Sequence, residues 1–179
     1  IDGAWYEVEA LNFGMELRVT PRPWPTGTVK FSSKGVKFEW LVIVGLDERF
    51  AETYIDLAPG GKKGTAVPAG RWKLYAGLVT KGKRRQLAKA LVLPQSAEGE
   101  GATRIVVKEG ETASLQLGAP FGFDFRVEDD GETVTIPGQS VVVTGVAGER
   151  YERPWNCSAR PEASVRVAGS KKGGKGKKF

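Results

Sequence analysis

The chain has 179 residues, 40% hydrophobic and 27% charged, with 24 glycines, ten prolines, one cysteine and no histidine, a globular composition with room for one good core or two small ones. Without histidine there is no Ser-His-Asp or Cys-His nucleophile and no imidazole metal ligand, and a lone Cys157 allows neither an internal disulfide nor a thiolate zinc site. The net charge is +6, but Lys171, Lys172, Lys175, Lys177 and Lys178 crowd the last nine residues; removing those five from the 27 basic residues leaves 22 against 21 acidic ones, so the basicity belongs to a tail and not to a binding face.

The chain opens at Ile1 without an initiator Met or the pattern of a signal peptide, which reads as a trimmed mature form or a piece of something longer. Residues 5–9 and 15–19 alternate apolar and polar side chains at period two and are predicted as strands. Pro21-Arg22-Pro23-Trp24-Pro25 follows as a loop, because proline removes ladder donors. Strands over 28–32 and 36–44 flank a Ser33-Lys34-Gly35 turn. The second of them, with Trp40 and the run Leu41-Val42-Ile43-Val44, reads as a central strand covered on both faces. That run is also the longest apolar one, far below the roughly 20 residues a membrane-spanning helix requires.

A further strand is predicted over 50–57 and a turn over 59–64, after which 65–77 places Pro68 and Gly70 ahead of an alternating strand. Trp72 in that strand, like Trp40, is assigned to the core. Past the reversal at Lys81-Gly82-Lys83, residues 85–93 return as its partner; 86–91 are rich in helix formers, but the glycine turn favours a hairpin. Beyond a polar loop at 95–102, strands over 103–107 and 112–117 are expected to pair with each other across Lys108-Glu109-Gly110-Glu111. A second set covers 123–127, 132–136, 140–144, 148–152 and 164–167.

So many short strands, with glycine and proline at the corners, make the fold class all-β, an antiparallel β-sandwich: two small sandwich domains, or one sandwich with an extension. The pause at Gly118-Ala119-Pro120 sets the expected division, with a β-sandwich over 1–118, a small β domain over 119–168 and a flexible Lys/Gly-rich tail over 169–179.

Val67-Pro68-Ala69-Gly70-Arg71-Trp72-Lys73-Leu74, within residues 65–77, resembles the strand opener of carboxypeptidase-regulatory-like, or transthyretin-like, β-sandwich modules. The resemblance implies a non-enzymatic accessory module of a secreted or surface protein. The second set, with Val134-Thr135-Ile136, Ser140-Val141-Val142-Val143-Thr144 and Tyr151, looks like part of an immunoglobulin-like domain without its paired cysteines.

Asp124, Glu128, Asp129, Asp130 and Glu132 cluster around a Gly131 turn; their spacing fits no calcium loop, and a solvated hairpin turn is the reading over a calcium site. Asp47, Glu48, Asp56 and Glu149 read as surface or turn residues, and no pair of carboxylates stands out for acid–base work. No catalytic residue, metal ligand or cofactor is therefore expected, and the chain is read as not an enzyme.

Contacts are sought instead at the loop tryptophans Trp24 and Trp155, which can stack on a sugar or a partner, and at two basic groups. The first, Lys83, Arg84 and Arg85, sits at a hairpin tip; the second, the lysines from Lys171 to Lys178, can hold polyanions by counterion release. The leading expectation is a structural, adhesion or protein-interaction module in a larger extracytoplasmic assembly, periplasmic, cell-surface or secreted. Polyanion binding through the tail, to nucleic acid, anionic glycan or lipid, and carbohydrate binding through the tryptophans are the alternatives.

Overall fold

The computed structural model describes residues 5–82, 88–95, 101–131 and 133–156, with side chains through 152. Its centre is the antiparallel pair of β4 (Lys37–Gly45) and β7 (Gly70–Lys81), in register from Lys37↔Thr80 to Gly45↔Trp72. Phe38, Leu41 and Ile43 of β4 all point inward although Phe38 and Leu41 are an odd number of residues apart. A register shift between Phe38 and Trp40 absorbs the extra residue and keeps both apolar side chains on one face. A second shift, at Val42/Ile43, does the same on β7, so that Trp72, Leu74 and Val79 all reach the core. The outward residues of β4, Trp40 and Val42, are only half-buried. The strand is therefore fully covered on one face and, on the other, buried only at Val44, so Trp40 is not a core residue, whereas Trp72 is completely buried.

The sheet grows from this pair in both directions. β5 (Tyr54–Asp56) flanks β4. On the other side of β7, its first half pairs with β9 (Arg104–Val107) and its second half with β8 (Ala88–Leu93). The strand preferred for this last segment over a helix is thus what forms. The long strand expected over 50–57 shrinks to β5, because Glu48–Phe50 winds into a 3-10 turn that buries Phe50 against Trp72, the rings stacked at 5.4 Å.

A second, three-stranded layer covers the inner face, in the order β10 (Thr112–Gly118), β3 (Thr26–Lys34), β6 (Thr65–Pro68). Val29, Val67, Leu115 and Leu117 point down from it onto the buried residues of the large sheet. The hairpin expected between 103–107 and 112–117 does not form: β9 joins β7 while β10 runs parallel to β3 in the opposite layer. Both segments carry a strong apolar face, Ile105 and Val107 on one, Leu115 and Leu117 on the other. Facing each other across the core buries both sets, which lying side by side would leave to other elements. The arch between them is anchored on β3, where Thr28 N–H donates to the Glu111 carbonyl at 2.8 Å and Gly110 N–H to that of Thr26 at 2.9 Å. Gly27 makes the approach possible, since a Cβ there would run into the Lys108 carbonyl and stand 2.8 Å from that of Glu111.

Beyond Gly118 the chain returns to the large sheet. β15 (Arg150–Asn156) pairs with β8, β14 (Val142–Thr144) with β15, and β11 (Gly122–Asp124) with β14, which completes eight antiparallel strands. Hydrogen bonding thus runs across the division expected at residue 118, and Ala147 and Tyr151 belong to the same apolar cluster as Trp72. Two small hairpins stand apart from both layers: β1 (Tyr6–Leu11) with β2 (Glu16–Pro21), and β12 (Glu128–Asp129) with β13 (Val134–Thr135). The architecture is an all-β sandwich, antiparallel apart from the β10–β3 pair. No helix among the described residues is long and apolar enough to cross a membrane.

Candidate functional site

Glu149, read from sequence as a surface or turn residue, is completely buried. Its Oε1 accepts the Gly118 N–H at 2.6 Å and the Tyr151 hydroxyl at 2.9 Å, and its Oε2 accepts the Ala147 N–H at 2.9 Å. Gly145 lies so close over the carboxylate that a Cβ there would collide with it. Burial, reinforced by the Glu149 charge, pushes the Tyr151 phenol far above its ordinary range, so it stays a donor. With its oxygens met by these donors and closed off from water, this carboxylate acts as a clasp. It ties the end of β10 to the turn before β15, where the Val146 N–H also donates to the Gly118 carbonyl at 2.9 Å. The signal for it was parity: Glu149 shares an inward face with Tyr151, two residues on.

Of the acidic group around Gly131, Glu132 lies outside the described residues, Glu128 pairs with Arg126 at 2.6 Å, and the three aspartates bond their own neighbouring backbone. Asp124 Oδ1 accepts the Phe125 N–H, Asp129 Oδ1 the Gly131 N–H at 2.9 Å, and Asp130 both the N–H and the hydroxyl of Thr133. Among the described residues no group of three or more His, Cys, Asp or Glu is placed to hold a metal. Asp47 instead pins Arg71, accepting its N–H at 2.8 Å and its Nε–H at 2.7 Å, and these bonds hold the Asp47 carboxyl below the usual carboxylate range.

The two loop tryptophans fare differently. Trp24 is in the expected proline-rich loop but half-buried, its ring edge-on to Phe50 at 5.4 Å and beneath the Arg49 guanidinium at 5.7 Å. Trp155 is not in a loop: its backbone belongs to β15 and pairs with Lys89, past an irregularity that absorbs Pro154. The two are not brought together into one site. Lys83, Arg84, Arg85, Lys171, Lys172, Lys175, Lys177 and Lys178 lie outside the described residues.

What sequence reading missed is the arm formed by β1 and β2. Its register places Tyr6 opposite Pro21, Val8 opposite Val19 and Ala10 opposite Leu17, so these residues share one face. The other face carries Glu7, Glu9, Arg18 and Thr20, with ion pairs Arg18–Glu9 at 3.2 Å and Arg22–Glu7 at the root. Val8, Leu17 and Val19 of the apolar face are 52–67% exposed, Met15 is more so, and Phe13 at the tip is bare. The tip, Asn12-Phe13-Gly14, holds Phe13 in the left-handed region at φ 57°, which is uncommon for a bulky residue. The legible signal was an aromatic in a turn where polar residues usually sit. The root is firm: Trp5 packs on the core, its carbonyl accepts the Arg22 N–H at 2.8 Å, and Trp24 continues into the Phe50–Trp72 stack.

Comparison of the chain with protein-family models, with curated proteins and with solved structures returned no match.

Proposed function

We propose that the chain is a non-enzymatic β-sandwich subunit that serves a structural, protein-interaction role in a larger extracytoplasmic assembly, with the β1–β2 arm as its contact element. The observation that carries this reading is the apolar face of the arm, left in water from Val8 to the bare ring of Phe13. A two-stranded hairpin alone is marginal in water, and a partner laid on its apolar face supplies the missing layer. The firm root and the ion-paired polar face support the same reading, because they present that apolar face in a set direction.

The test is a photo-crosslinking amino acid at Phe13 in the full chain, made in the cells that produce it, with Lys62 as an exposed control. The expected result is a protein adduct of defined mass from the Phe13 position and none from Lys62. Equal, diffuse labelling from both positions would overturn the reading.

A further inference from the structure

The large sheet is wider than its cover, and the excess forms an apolar groove. One cross-strand row runs Val92, Tyr151, Val143, Phe123 through β8, β15, β14 and β11. Along it burial falls from complete at Val92 to 70% exposure at Phe123, as the three-stranded layer runs out. Phe121 stands edge-on over Tyr151 at 5.1 Å, and with Val36, Val79 and Ala90 it walls a groove of about 210 Å³. That volume admits a phenyl ring, since a cavity of about 150 Å³ takes benzene. Lys81, exposed, and Lys89, ion-paired with Glu39 at 3.5 Å, also line it.

The root of the arm and the groove lie at opposite ends of β7. The arm is rooted on Trp24, Phe50 and Trp72, at the start of β7, whereas Val79 and Lys81 are at its end, about 23–30 Å away at the rise of a strand. In the structure Phe13 touches neither its own groove nor any other cover. One chain thus carries an exposed aromatic tip with an acidic neighbour, Glu16, and an apolar socket lined in part by the exposed Lys81.

Resting on the reading above, we infer that the partner of the arm is a second copy of this chain, whose groove receives Phe13 with Glu16 set against Lys81. Because plug and socket sit on different surfaces, the contact is head-to-tail. Each joined copy keeps a free arm at one end and a free groove at the other, so assembly proceeds to rings or open chains according to the rotation per joint. Charge complementarity sets the direction of entry, and the buried ring supplies the affinity.

Sedimentation velocity of the full chain over a concentration series tests this. Wild type is expected to grow with concentration beyond its 19.3 kDa monomer. Phe13→Asp in the arm, or Phe123→Glu at the exposed end of the groove, weakens association about tenfold or more. An equal mixture of those two variants gives a dimer that grows no further, because only one kind of joint is intact. Glu16→Lys and Lys81→Glu each weaken growth, and their mixture restores it as alternating copies. Two monomeric variants that ignore each other on mixing would overturn the inference. So would a wild type that stays monomeric at every concentration, leaving the groove to residues 157–179 or to a different protein. The crosslink from Phe13 separates the two failures: an adduct only with another protein sinks self-assembly and keeps the arm as a contact element, while none sinks both.

Discussion

The β4–β7 pair and the β1–β2 arm are written in the same code and meet opposite fates. Each is an antiparallel pair with one apolar face, kept by unbroken period-two register in the arm and, in β4–β7, by two register shifts along the continuous apolar run Leu41–Val44. In the first, Leu41, Ile43, Trp72 and Leu74 vanish beneath β3, β6 and β10; in the second, Val8, Leu17 and Val19 face water. Alternation specifies a strand and its two faces, but it does not specify what covers the apolar one. The core strands hold the fold together, whereas the arm leaves its apolar face in water.

Substitutions sharpen that contrast, and the largest effect belongs to the core. Trp72→Ala removes a fully buried indole whose Nε1–H donates to the Pro68 carbonyl at 3.0 Å. It is expected to cost about 3–5 kcal/mol in denaturant unfolding. A loss below about 1 kcal/mol would mean that the stacked aromatics are not where the stability resides.

Glu149→Gln comes next. The carboxamide keeps one acceptor but turns an NH2 toward groups that themselves donate, Gly118 N–H, Ala147 N–H or the Tyr151 hydroxyl. A loss of about 2–4 kcal/mol is expected, read as a lower Tm, together with faster amide exchange at Gly118 and Ala147. Tyr151→Phe keeps the ring and the Phe121 contact while deleting one donor, and about 1 kcal/mol should go with it.

At the start of β7 the handle is acid. The Asp47 carboxyl is depressed by its bonds to Arg71, so its stabilisation is full above the ordinary carboxylate value of 3.8 and is lost as pH falls through the lower folded value. A pH series of unfolding midpoints should therefore fall more steeply below about pH 4 for wild type than for Asp47→Asn. Parallel curves would show that Asp47 contributes nothing to the fold.

The smallest effect on stability should come from the arm. Val8→Ser with Val19→Ser alters an exposed cross-strand pair and should shift unfolding by less than about 0.5 kcal/mol, while the Phe13 crosslink is lost. A large destabilisation would erase the distinction between core strands and arm.

Much of the fold was legible. Short alternating segments between glycine and proline turns gave the all-β class and most strand positions, because side-chain parity is a local property of an extended chain. The preference for strand over helix at Ala88–Leu93 stood on the same ground, a glycine reversal outweighing helix-forming composition. Pairing was less legible. The β9–β10 hairpin was drawn from turn residues alone, and the arch that exists depends on Gly27 and on two apolar faces meeting across the core. The candidate site was barely legible, since Trp155 was placed in a loop and Glu149 on the surface.

Alone, the order of residues determined which segments extend, which side chains share a face, and that the chain has no histidine or cysteine pair for the chemistries needing them. Only the folded arrangement decided that Glu149 closes over Gly118 and Tyr151, that an eight-stranded sheet outruns a three-stranded cover, and that two hairpins are left without a layer. Strand formation is settled by neighbours along the chain, whereas burial is settled by whichever distant surface arrives first to exclude water.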